Sequence, residues 1–338
     1  MDIIINPTNK CDFNCTFCEN SELKDETLNA EDTIKLLKPY IKDMDKIIFS
    51  GGEPLMMKPE YYESIFNFLN KSKKRLIKVI FYTNLHPWLA DPTIWDDIFN
   101  RENVKVVTGF QFGPNRRLLD GKVYIPVIFK SVMNKFNYSY RYSPNFVSVV
   151  DTENQMNIIK TARLARELRC RCRLDKIMTL GRAKTIKYFP WYRLLILYNK
   201  IIDEKLDNYV INIDYIKDYF NNRNTECPVD RKCYHNIRVI NNDKRIFSCP
   251  NLVSNKKFNK YEMIDEDECD LFAKDNEFIH IQCMGCKYYK FCNSCRSIIE
   301  EVKKFKDEEN YCKQMKKIIP VLEDKLKERI LYDNKSIY

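Results

Sequence analysis

The stretch CDFNCTFCEN (residues 11–20) places three thiols, Cys11, Cys15 and Cys18, close to the start of the chain. A structural zinc site closes with four tetrahedral ligands, and no histidine lies near this stretch. An iron–sulfur cluster ordinarily takes four cysteines, so three closely spaced ones leave one iron without a protein ligand. The stretch therefore predicts a cluster whose open iron binds a substrate or a cofactor.

Length and composition limit the classes of protein that come into question. The chain has 338 residues, and single domains usually hold about 100–200, so one large and one smaller domain are expected. The first residues, MDIIINPTNK, do not form a signal peptide, and no stretch offers the roughly 18 uncharged apolar residues that a membrane span needs. The sequence thus predicts a cytoplasmic protein without membrane contact. In a reducing cytosol its 14 cysteines are expected to serve metal or redox chemistry rather than disulfides.

The chain is basic, with 57 Lys and Arg against 47 Asp and Glu and a formal net charge of +10. A solvated, Lys-rich surface accounts for most of this excess, and attraction to an acidic peptide or to nucleic acid is the functional alternative. The segment KTARLARELRCRCRLDK (160–176) would suit an acidic leader peptide, although a solvated helix face is the simpler interpretation.

Short β-branched or aromatic runs alternate with amphipathic stretches along the first two thirds of the chain. The candidate strands are DIIIN (2–6), KIIFS (46–50), KVIFYT (78–83), VKVVTGF (104–110), FVSVV (146–150) and RCRLDKIM (171–178). Apolar residues at three- and four-residue spacing predict helices in 28–43, 59–74 and 153–169. Strand–helix alternation predicts an α/β fold with a parallel sheet, and six such units predict a partial (β/α)6 TIM-like barrel with its working residues at the carboxyl ends of the strands.

The pattern changes near residue 222 to short segments punctuated by cysteines, and fewer long helices are expected there. Three regions are predicted: a barrel core over 1–190, a final barrel helix with a bridging region over 191–222, and a cysteine-rich domain over 223–338. Within the last of these, YHNIRVINNDKRIFSCP (234–250) predicts a hairpin.

The spacing Cys11-x3-Cys15-x2-Cys18 resembles the signature of radical S-adenosylmethionine (radical SAM) enzymes, and Phe17 fills the aromatic position before the third cysteine. Elements at three further strand ends extend the resemblance: Ser50-Gly51-Gly52-Glu53-Pro54, Thr83-Asn84 and Gly181-Arg182-Ala183. Taken alone, Gly51 to Pro54 would be an ordinary strand-to-helix turn. After the cysteine loop, it favours the family.

The resemblance implies that the three cysteines are the catalytic ligands of a 4Fe-4S cluster and that S-adenosylmethionine chelates the open iron. It implies a cofactor-binding set of Phe17, Ser50, Gly51, Gly52, Glu53, Asn84 and Arg182. The Gly-Gly-Glu backbone would receive the amino group of the cofactor, because residues without side chains permit a close approach. The reduced cluster would then cleave the sulfonium and release a 5′-deoxyadenosyl radical.

The C-terminal cysteines resemble the SPASM domain of radical enzymes that modify peptides and proteins, which carries two auxiliary 4Fe-4S clusters. By that resemblance, the first auxiliary set would be Cys227, Cys233, Cys249 and Cys295. The second would be Cys283, Cys286, Cys292 and Cys312. Zinc is the alternative for paired C-x2-C elements, but zinc ribbons separate their pairs by roughly 12–20 residues, and only five lie between the second and third members here.

The chain departs from the SPASM pattern at several positions. An x2 gap replaces the usual x3 before Cys295, and the hairpin turn lacks its usual glycine. Sulfatase-maturing relatives have an Asp directly after the third cysteine of the first auxiliary set, where this chain has Pro250, which argues against that activity. After the fourth strand, relatives read S-x-D-G where this chain has Phe110-Gln111-Phe112-Gly113.

Four further residues are interpreted without a catalytic role. Cys170 and Cys172 are expected to pack in the core, because free cysteine is among the most buried residue types. Cys269 is interpreted as a surface thiol, with a substrate-facing group as the alternative, and His86 as a turn residue.

The resemblance implies a ribosomally made precursor peptide as substrate, with hydrogen abstraction leading to a thioether or carbon–carbon crosslink, an oxidation or an epimerisation. Dehydrogenation of a small molecule and RNA modification are rival activities, although no RNA-binding element is recognisable. A non-enzymatic electron carrier or zinc protein is disfavoured by the open three-cysteine site. Only ten residues precede Cys11 and 26 follow Cys312, so a leader peptide is expected to need a discrete partner protein or a groove. A flavodoxin or ferredoxin-type reductant is the expected electron donor.

Overall fold

The computed structural model describes residues 1–22, 26–72, 76–230, 233–253, 283 and 285–335. For residues 21, 22, 233, 234 and 328–335 the structure describes the backbone alone. Cys269 lies outside the described residues, so its predicted role stays a prediction.

One sheet organises the chain, in the order β6-β5-β4-β3-β2-β1-β7-β8. Its strands are β1 (Asp2–Ile5), β2 (Lys46–Phe49), β3 (Lys78–Tyr82), β4 (Val104–Gly109), β5 (Asn145–Val150), β6 (Cys172–Lys176), β7 (Ile237–Ile240) and β8 (Ile246–Phe247). All neighbouring pairs are parallel except β7 with β8. The six strands predicted from the sequence are confirmed, as is the α/β fold of the partial TIM-like barrel type.

The helices are α1 (Ala30–Leu37), α2 (Pro59–Ser72), α3 (His86–Ala90), α4 (Asp96–Phe99), α5 (Pro126–Tyr140), α6 (Ile158–Glu167), α7 (Trp191–Asp203), α8 (Ile211–Phe220), α9 (Cys233–Asn236), α10 (Pro250–Val253), α11 (Tyr289–Cys292), α12 (Arg296–Lys304) and α13 (Glu308–Lys335). The predicted helices are found as α1, α2 and α6, and the segment predicted to be the final barrel helix forms α7, which α8 follows. None of the helices in the described part of the chain is long and apolar enough to cross a membrane.

Buried and partly buried residues alternate along the strands, so the two faces of the sheet differ in burial. In β1, Ile3 and Ile5 are fully buried against the helices, whereas Asp2 and Ile4 on the other face are only partly buried. The same alternation recurs in β3 and β5. Because side chains alternate across a strand, the partly buried set faces the interior of the open barrel, where a substrate can enter.

The predicted hairpin is present, because β7 and β8 pair antiparallel. It also extends the barrel sheet, since β7 pairs in parallel with β1, with Ile3 opposite Arg238 and Ile5 opposite Ile240. Sequence elements near residue 240 are thereby placed beside the first strand and its cysteine loop.

Fewer long helices were expected after residue 222, and one long helix is found among the residues described there. The 28-residue α13 is the longest helix among the described residues, and it continues through Pro320. It packs against α7 and α12, and its buried Tyr311, Met315 and Ile319 belong to the same hydrophobic core as the β5–β6 half of the barrel. A stack between Trp191 of α7 and Phe291 of α11, with ring centroids 5.2 Å apart, ties the C-terminal segments to the barrel.

Candidate active site

The first cysteine loop follows β1 and is held by the connection between β4 and α5. Asn14 N donates to Arg117 O at 2.8 Å, and Thr16 N donates to Asn115 O at 2.9 Å. Phe13 forms an antiparallel bridge with Leu118. These bonds run along the loop between its cysteines, so the backbone that carries the thiols is fixed by the segment that follows β4.

The three thiols of this loop lie within electrostatic reach of one another, with Cys15 buried and Cys11 and Cys18 partly buried. Burial raises the pKa of Cys11 to about 12, with Glu53 as the next cause, and burial also raises the pKa of Cys18. The charge of Cys15 contributes to both shifts. Protonated buried thiols become thiolates when they bind a metal centre, so this loop is expected to release protons when it does.

The donor set fits an iron–sulfur cluster better than a single ion. No group of three His, Cys, Asp or Glu within the described ranges has the geometry to hold one metal ion. A 4Fe-4S cluster distributes its thiolates over different irons, so its ligands need not converge on one point. Three partly or fully buried thiols in one loop match that requirement.

Gly51 and Gly52 lie directly against the chain that leads into this loop. A Cβ at Gly52 would come within 2.3 Å of Lys10 O, and one at Gly51 within 2.7 Å of Thr8 O. Gly52 N donates to Thr8 O and Glu53 N donates to Lys10 O, at 2.9 and 2.7 Å. The glycines therefore have a structural role, the close packing of two strand ends, beside the cofactor contact that the resemblance implies.

Glu53 lies beneath the cysteine loop with 1% of its surface exposed. Its Oε1 accepts from Leu55 N and from Thr83 Oγ1, at 2.9 and 2.6 Å, and its Oε2 accepts from Asn84 N at 2.6 Å. Burial raises the pKa of Glu53 to about 7, while the three donors act in the opposite direction. The carboxylate thus joins the end of β2 to the end of β3.

Asp12 and His86 complete a hydrogen-bonded ring that sequence reasoning missed. Asn84 Nδ2 donates to Asp12 Oδ1 at 2.6 Å, and His86 Nδ1 lies 2.6 Å from Asp12 Oδ2. His86 N in turn donates to Asn84 Oδ1 at 2.7 Å. His86, interpreted from the sequence as a turn residue, begins α3 and contacts the cysteine loop. Only its position after the third strand indicated that it would lie at this end of the barrel.

The other predicted cofactor residues also lie at strand ends. A Cβ at Gly181 would come within 2.3 Å of Glu19 O, and Arg182 N donates to Cys18 O at 3.0 Å. The charge of Arg182 lowers the pKa of Cys18. Ser50 N donates to Ile5 O at 2.9 Å, and Phe17 packs, partly buried, against the core.

Polar groups after β4 are available for a ligand. The Gln111 amide is 1% exposed, and neither its nitrogen nor its oxygen has a hydrogen-bond partner among the described residues. Arg116 packs over Phe13, 5.2 Å from the ring centre, and its buried Nε has no partner in that part of the chain either. Since buried polar groups are normally paired, these atoms fit a polar ligand such as S-adenosylmethionine.

All four cysteines of the second predicted auxiliary set line one cavity, with an empty volume of about 350 Å³ that is partly open to solvent. The pKa of Cys292 is raised by burial and then by Cys283, Cys312 and Cys286, which places the four thiols within electrostatic reach of one another. Met315 and Lys316 of α13 also line the cavity.

Three members of the first auxiliary set also come together. A hydrogen bond with Cys295 and burial raise the pKa of Cys227, and burial and then Cys227 raise the pKa of Cys249 to about 12. Only the backbone of Cys233 is described, as the first residue of α9, so its membership stays a prediction. Pro250 begins α10 directly after Cys249.

None of the twelve cysteines whose side chains are described forms a disulfide. Cys170 and Cys172 are 6% and 0% exposed and belong to the hydrophobic core, in agreement with the packing role expected for them.

Comparison with known proteins identifies the class of this site. Residues 5–139 match the model of the Radical SAM superfamily, a segment that includes the first cysteine loop and Gly51 to Glu53. This part of the chain is therefore a radical SAM domain, and the resemblance seen in the sequence is confirmed for it. The family implies a 4Fe-4S cluster and S-adenosylmethionine. The comparison with curated proteins found no match.

Solved structures extend the likeness beyond that domain. Native anSMEcpe with bound AdoMet has a TM-score of 0.72 at 16% identity, covering 96% of this chain and 99% of that one. Native anSMEcpe with bound AdoMet and Kp18Cys peptide has a TM-score of 0.70 at 15% identity, with the same coverage. Streptococcus suis SuiB bound to precursor peptide SuiA has a TM-score of 0.56 at 16% identity, covering 86% of this chain and 70% of that one. At these identities the likeness shows a shared fold.

Proposed function

We propose that this protein is a radical SAM peptide maturase that abstracts hydrogen from a ribosomally made precursor peptide. The reaction would form a thioether or carbon–carbon crosslink, or oxidise or epimerise a residue. The observation that carries the proposal is the assembly of two groups of C-terminal cysteines beside a radical SAM barrel. The fold shared over 96% of the chain with anSMEcpe, whose structures include a peptide complex, supports it.

Cys11, Cys15 and Cys18 would hold the cleaving cluster. When bound, this cluster and S-adenosylmethionine supply a one-electron cleavage that yields a 5′-deoxyadenosyl radical. The chain positions and shields that chemistry. Cys15 is buried and Cys11 and Cys18 are partly buried, and the bridge between Phe13 and Leu118 covers one side of the loop.

Residues from several strand ends would bind the cofactor. The backbone of Gly51 to Glu53 and the Arg182 side chain are proposed to seat S-adenosylmethionine, together with Phe17, Ser50 and Asn84. The unpartnered Gln111 amide and Arg116 Nε support a contact after β4, where the chain departs from its relatives. A carboxylate of the cofactor or substrate would suit Arg116, because a guanidinium binds carboxylates through paired hydrogen bonds.

The C-terminal cysteines would hold two auxiliary clusters, one on Cys227, Cys233, Cys249 and Cys295 and the other on the four cysteines of the cavity. One of these would accept the electron left on the substrate or bind a substrate thiolate. Charge from Arg173 and Asp175 of β6 acts on Cys227, so the barrel interior lies within electrostatic reach of the first auxiliary set. Substrate held in that interior would lie near both the first cysteine loop and an electron acceptor.

The precursor peptide is the proposed partner, with a discrete leader-binding protein and a flavodoxin or ferredoxin-type reductant as further ones. The exposed face of α6 carries Lys160, Arg163 and Arg166, which suits an acidic leader. Arg163 is engaged with Glu204 at 2.7 Å, so part of this charge is neutralised within the chain.

The test is transfer of deuterium from a candidate peptide to 5′-deoxyadenosine. Short open reading frames rich in cysteine, threonine or aromatic residues beside the gene supply the candidates, synthesised with deuterated side chains and α-carbons. The proposal expects deuterium in 5′-deoxyadenosine and a peptide whose mass has changed, both dependent on Cys11. Turnover that labels 5′-deoxyadenosine from a deuterated sugar alcohol, with every peptide unchanged, would favour the small-molecule dehydrogenase instead.

A further inference from the structure

The interior face of β6 carries a charged pair. Arg173 Nε donates to Asp175 Oδ1 at 2.7 Å, and the two side chains are 26% and 30% exposed. Cys172 and Leu174, which alternate with them, are fully buried in the hydrophobic core on the helix side of the strand. Because successive side chains of a strand point to opposite faces, Arg173 and Asp175 face the interior of the barrel.

The adjacent strand β5 offers this pair only apolar neighbours. Arg173 lies opposite Val147 and Asp175 lies opposite Val149, and both valines are on the partly buried face of β5. Charged residues are seldom enclosed by a fold unless they are paired or bind something. The ion pair itself satisfies part of that requirement, so the question is how many of its polar atoms it uses.

The pair leaves most of its hydrogen-bonding groups available. A guanidinium has five N–H donors, and a carboxylate has about four acceptor positions on its two oxygens. Within the described part of the chain, Arg173 and Asp175 make no hydrogen bond or ion pair other than the one between Nε and Oδ1. The Nη groups of Arg173 and Oδ2 of Asp175 thus remain as donors and an acceptor on neighbouring side chains.

The backbone that carries the pair is fixed from outside the barrel. Strand β6 is at one edge of the sheet, where Leu174 N donates to Asn212 Oδ1 at 2.6 Å and Leu174 O accepts from Tyr198 OH at 3.0 Å. These two side chains occupy the main-chain groups through which an added strand would pair. A peptide inside the barrel would therefore meet the side chains of β6 and not its backbone edge.

The chemistry of the pair selects a neutral ligand that both donates and accepts. The two charges cancel, so a free carboxylate would be attracted by Arg173 but repelled by Asp175. A backbone amide has the complementary groups, since its C=O accepts from a guanidinium and its N–H donates to a carboxylate.

We propose that Arg173 and Asp175 form a binding site for one backbone amide of the precursor peptide. The proposal rests on the proposed function, because it takes a peptide to be the substrate that enters the barrel. After β6 the chain continues to Arg182, whose N donates to Cys18 O at 3.0 Å, so this strand leads to the first cysteine loop. The site would hold the peptide along the wall of the barrel that leads to that loop.

The experiment measures the affinity of the reconstituted full-length protein for the peptide that transfers deuterium to 5′-deoxyadenosine. Fluorescence anisotropy of the labelled peptide gives the dissociation constant. Arg173→Lys keeps the charge but loses the planar fork of donors, and Asp175→Ala removes the acceptor. Each variant is expected to weaken binding about tenfold to a hundredfold, as for a lost hydrogen bond to a charged group.

A scan with N-methylated peptides separates a contact from a structural effect. Each N-methyl group removes one N–H donor of the peptide backbone. At one position the N-methyl group is expected to weaken binding to the wild type but not to Asp175→Ala, because that variant has already lost the acceptor. No change that merely loosened the barrel would single out one amide of the peptide.

Arg245→Lys is the matched control. Arg245 Nε donates to Asp243 Oδ2 at 2.8 Å in the turn between β7 and β8, and this pair has the same two-residue spacing and similar exposure, 29% and 26%. The control should bind the peptide as the wild type does.

Wild-type affinity in Arg173→Lys, with its iron content intact, would overturn the proposal. Tighter binding by Asp175→Ala would identify a carboxylate as the ligand and overturn the assignment to an amide. If Arg173→Lys lost its iron, the N-methyl scan would decide: a cost that disappears in Asp175→Ala supports the proposal, and the same cost in both proteins overturns it. If no peptide transferred deuterium, the proposed function would be refuted, and this inference with it.

Discussion

The fold positions the cysteines of the first loop and the C-terminal cysteines in different ways. The loop is one short segment, and its neighbours follow strands of the same sheet: Gly52 and Glu53 after β2, Asn84 and His86 after β3, with further contacts from the β4–α5 connection. The C-terminal cysteines come from separate segments between Cys227 and Cys312, brought together by helices. The segments that follow the parallel strands position the first site, whereas the second depends on the packing of helices onto the barrel.

A buried ion pair joins the two regions. Lys176 at the end of β6 contacts Glu301 of α12, with side chains only 4% and 5% exposed. Glu301 Oε1 also accepts from Thr179 N and Thr179 Oγ1, at 2.7 and 2.8 Å. The segment between Cys295 and Cys312 is thereby attached to the same strand that precedes Gly181, so the two sites are expected to be coupled in stability though separate in chemistry.

Loss of the first site should have the largest effect. The Cys11, Cys15 and Cys18 triple alanine variant is expected to form no 5′-deoxyadenosine, because no other described cysteines lie at this loop. Its iron content should fall by about four per chain, one cluster's worth. Iron analysis and chromatography of the reaction measure both. Retained cleavage of S-adenosylmethionine would show that the chemistry lies elsewhere.

Loss of one auxiliary cysteine should stop peptide modification without stopping the cleavage of S-adenosylmethionine. Cys249→Ala is expected to abolish the modified peptide while 5′-deoxyadenosine continues to form abortively, because Cys249 lies outside the first loop. Mass spectrometry of the peptide and chromatography of 5′-deoxyadenosine follow the two products. Cys170→Ala, a change at a core cysteine, is the control and should retain both. Equal loss of both products in Cys249→Ala would undermine the division of labour.

Removing one member of the joining ion pair should destabilise the chain strongly. Lys176→Met leaves the Glu301 carboxylate buried without its cation and is expected to cost about 3–5 kcal/mol in the free energy of unfolding. Lys325→Met breaks the exposed pair with Asp203 and should cost about 0–1 kcal/mol. Denaturant titration compares them. A small loss in Lys176→Met would mean that the two regions are held together by other contacts.

The pH dependence of stability should report on Glu53 beneath the first loop. Its pKa is raised from 4.5 to about 7 in the folded chain, mainly by burial. The folded state therefore holds more protons than the unfolded state between these values, and the free energy of unfolding falls as the pH rises through them. The slope is about 1.4 kcal/mol per pH unit at most. Compared in the chain without bound cluster, Glu53→Gln should lack this fall, and parallel curves for variant and wild type would contradict the assignment.

Disturbing the close packing at Gly52 should have a smaller effect on stability, but it should weaken binding at the first site specifically. Gly52→Ala places a Cβ 2.3 Å from Lys10 O, and overpacking of this kind costs about 1–3 kcal/mol. Gly121→Ala, which meets nothing within 4 Å but has a positive φ of 84°, is a destabilising change outside the first site and should cost about 1–2 kcal/mol. Binding of S-adenosylmethionine should weaken only in Gly52→Ala. Equal binding of S-adenosylmethionine by both variants would argue against a binding site for it at this turn.

Much of the barrel could be predicted from the sequence because its signals are local. Each of the six strands is a short β-branched or aromatic run, and the motifs follow directly after them. Helix α5 was missed although Phe129, Val132, Met133 and Phe136 recur at three- and four-residue spacing on its buried face. Helix α13 was missed because Cys312 and Pro320 interrupt an apolar pattern that its tertiary packing nevertheless completes.

The contacts that the sequence could not predict are those between distant segments. Asp12 and His86 are 74 positions apart, and nothing in either neighbourhood signals the bond between them. The parallel pairing of β7 with β1 likewise joins segments more than 200 residues apart. Such pairings depend on the closure of the whole sheet. The resemblance to the SPASM domain implied two sets of C-terminal cysteines, but the ion pair between Lys176 and Glu301 emerges only from the fold.

The most direct test of the central claim is the iron and sulfide content of the anaerobically reconstituted protein, measured together with 5′-deoxyadenosine formed under a strong reductant. Three cubane clusters require about twelve irons per chain. The account predicts that value, with 5′-deoxyadenosine that depends on the first three cysteines. Zinc in place of iron, with no 5′-deoxyadenosine, would contradict the account and indicate a barrel with structural zinc sites instead.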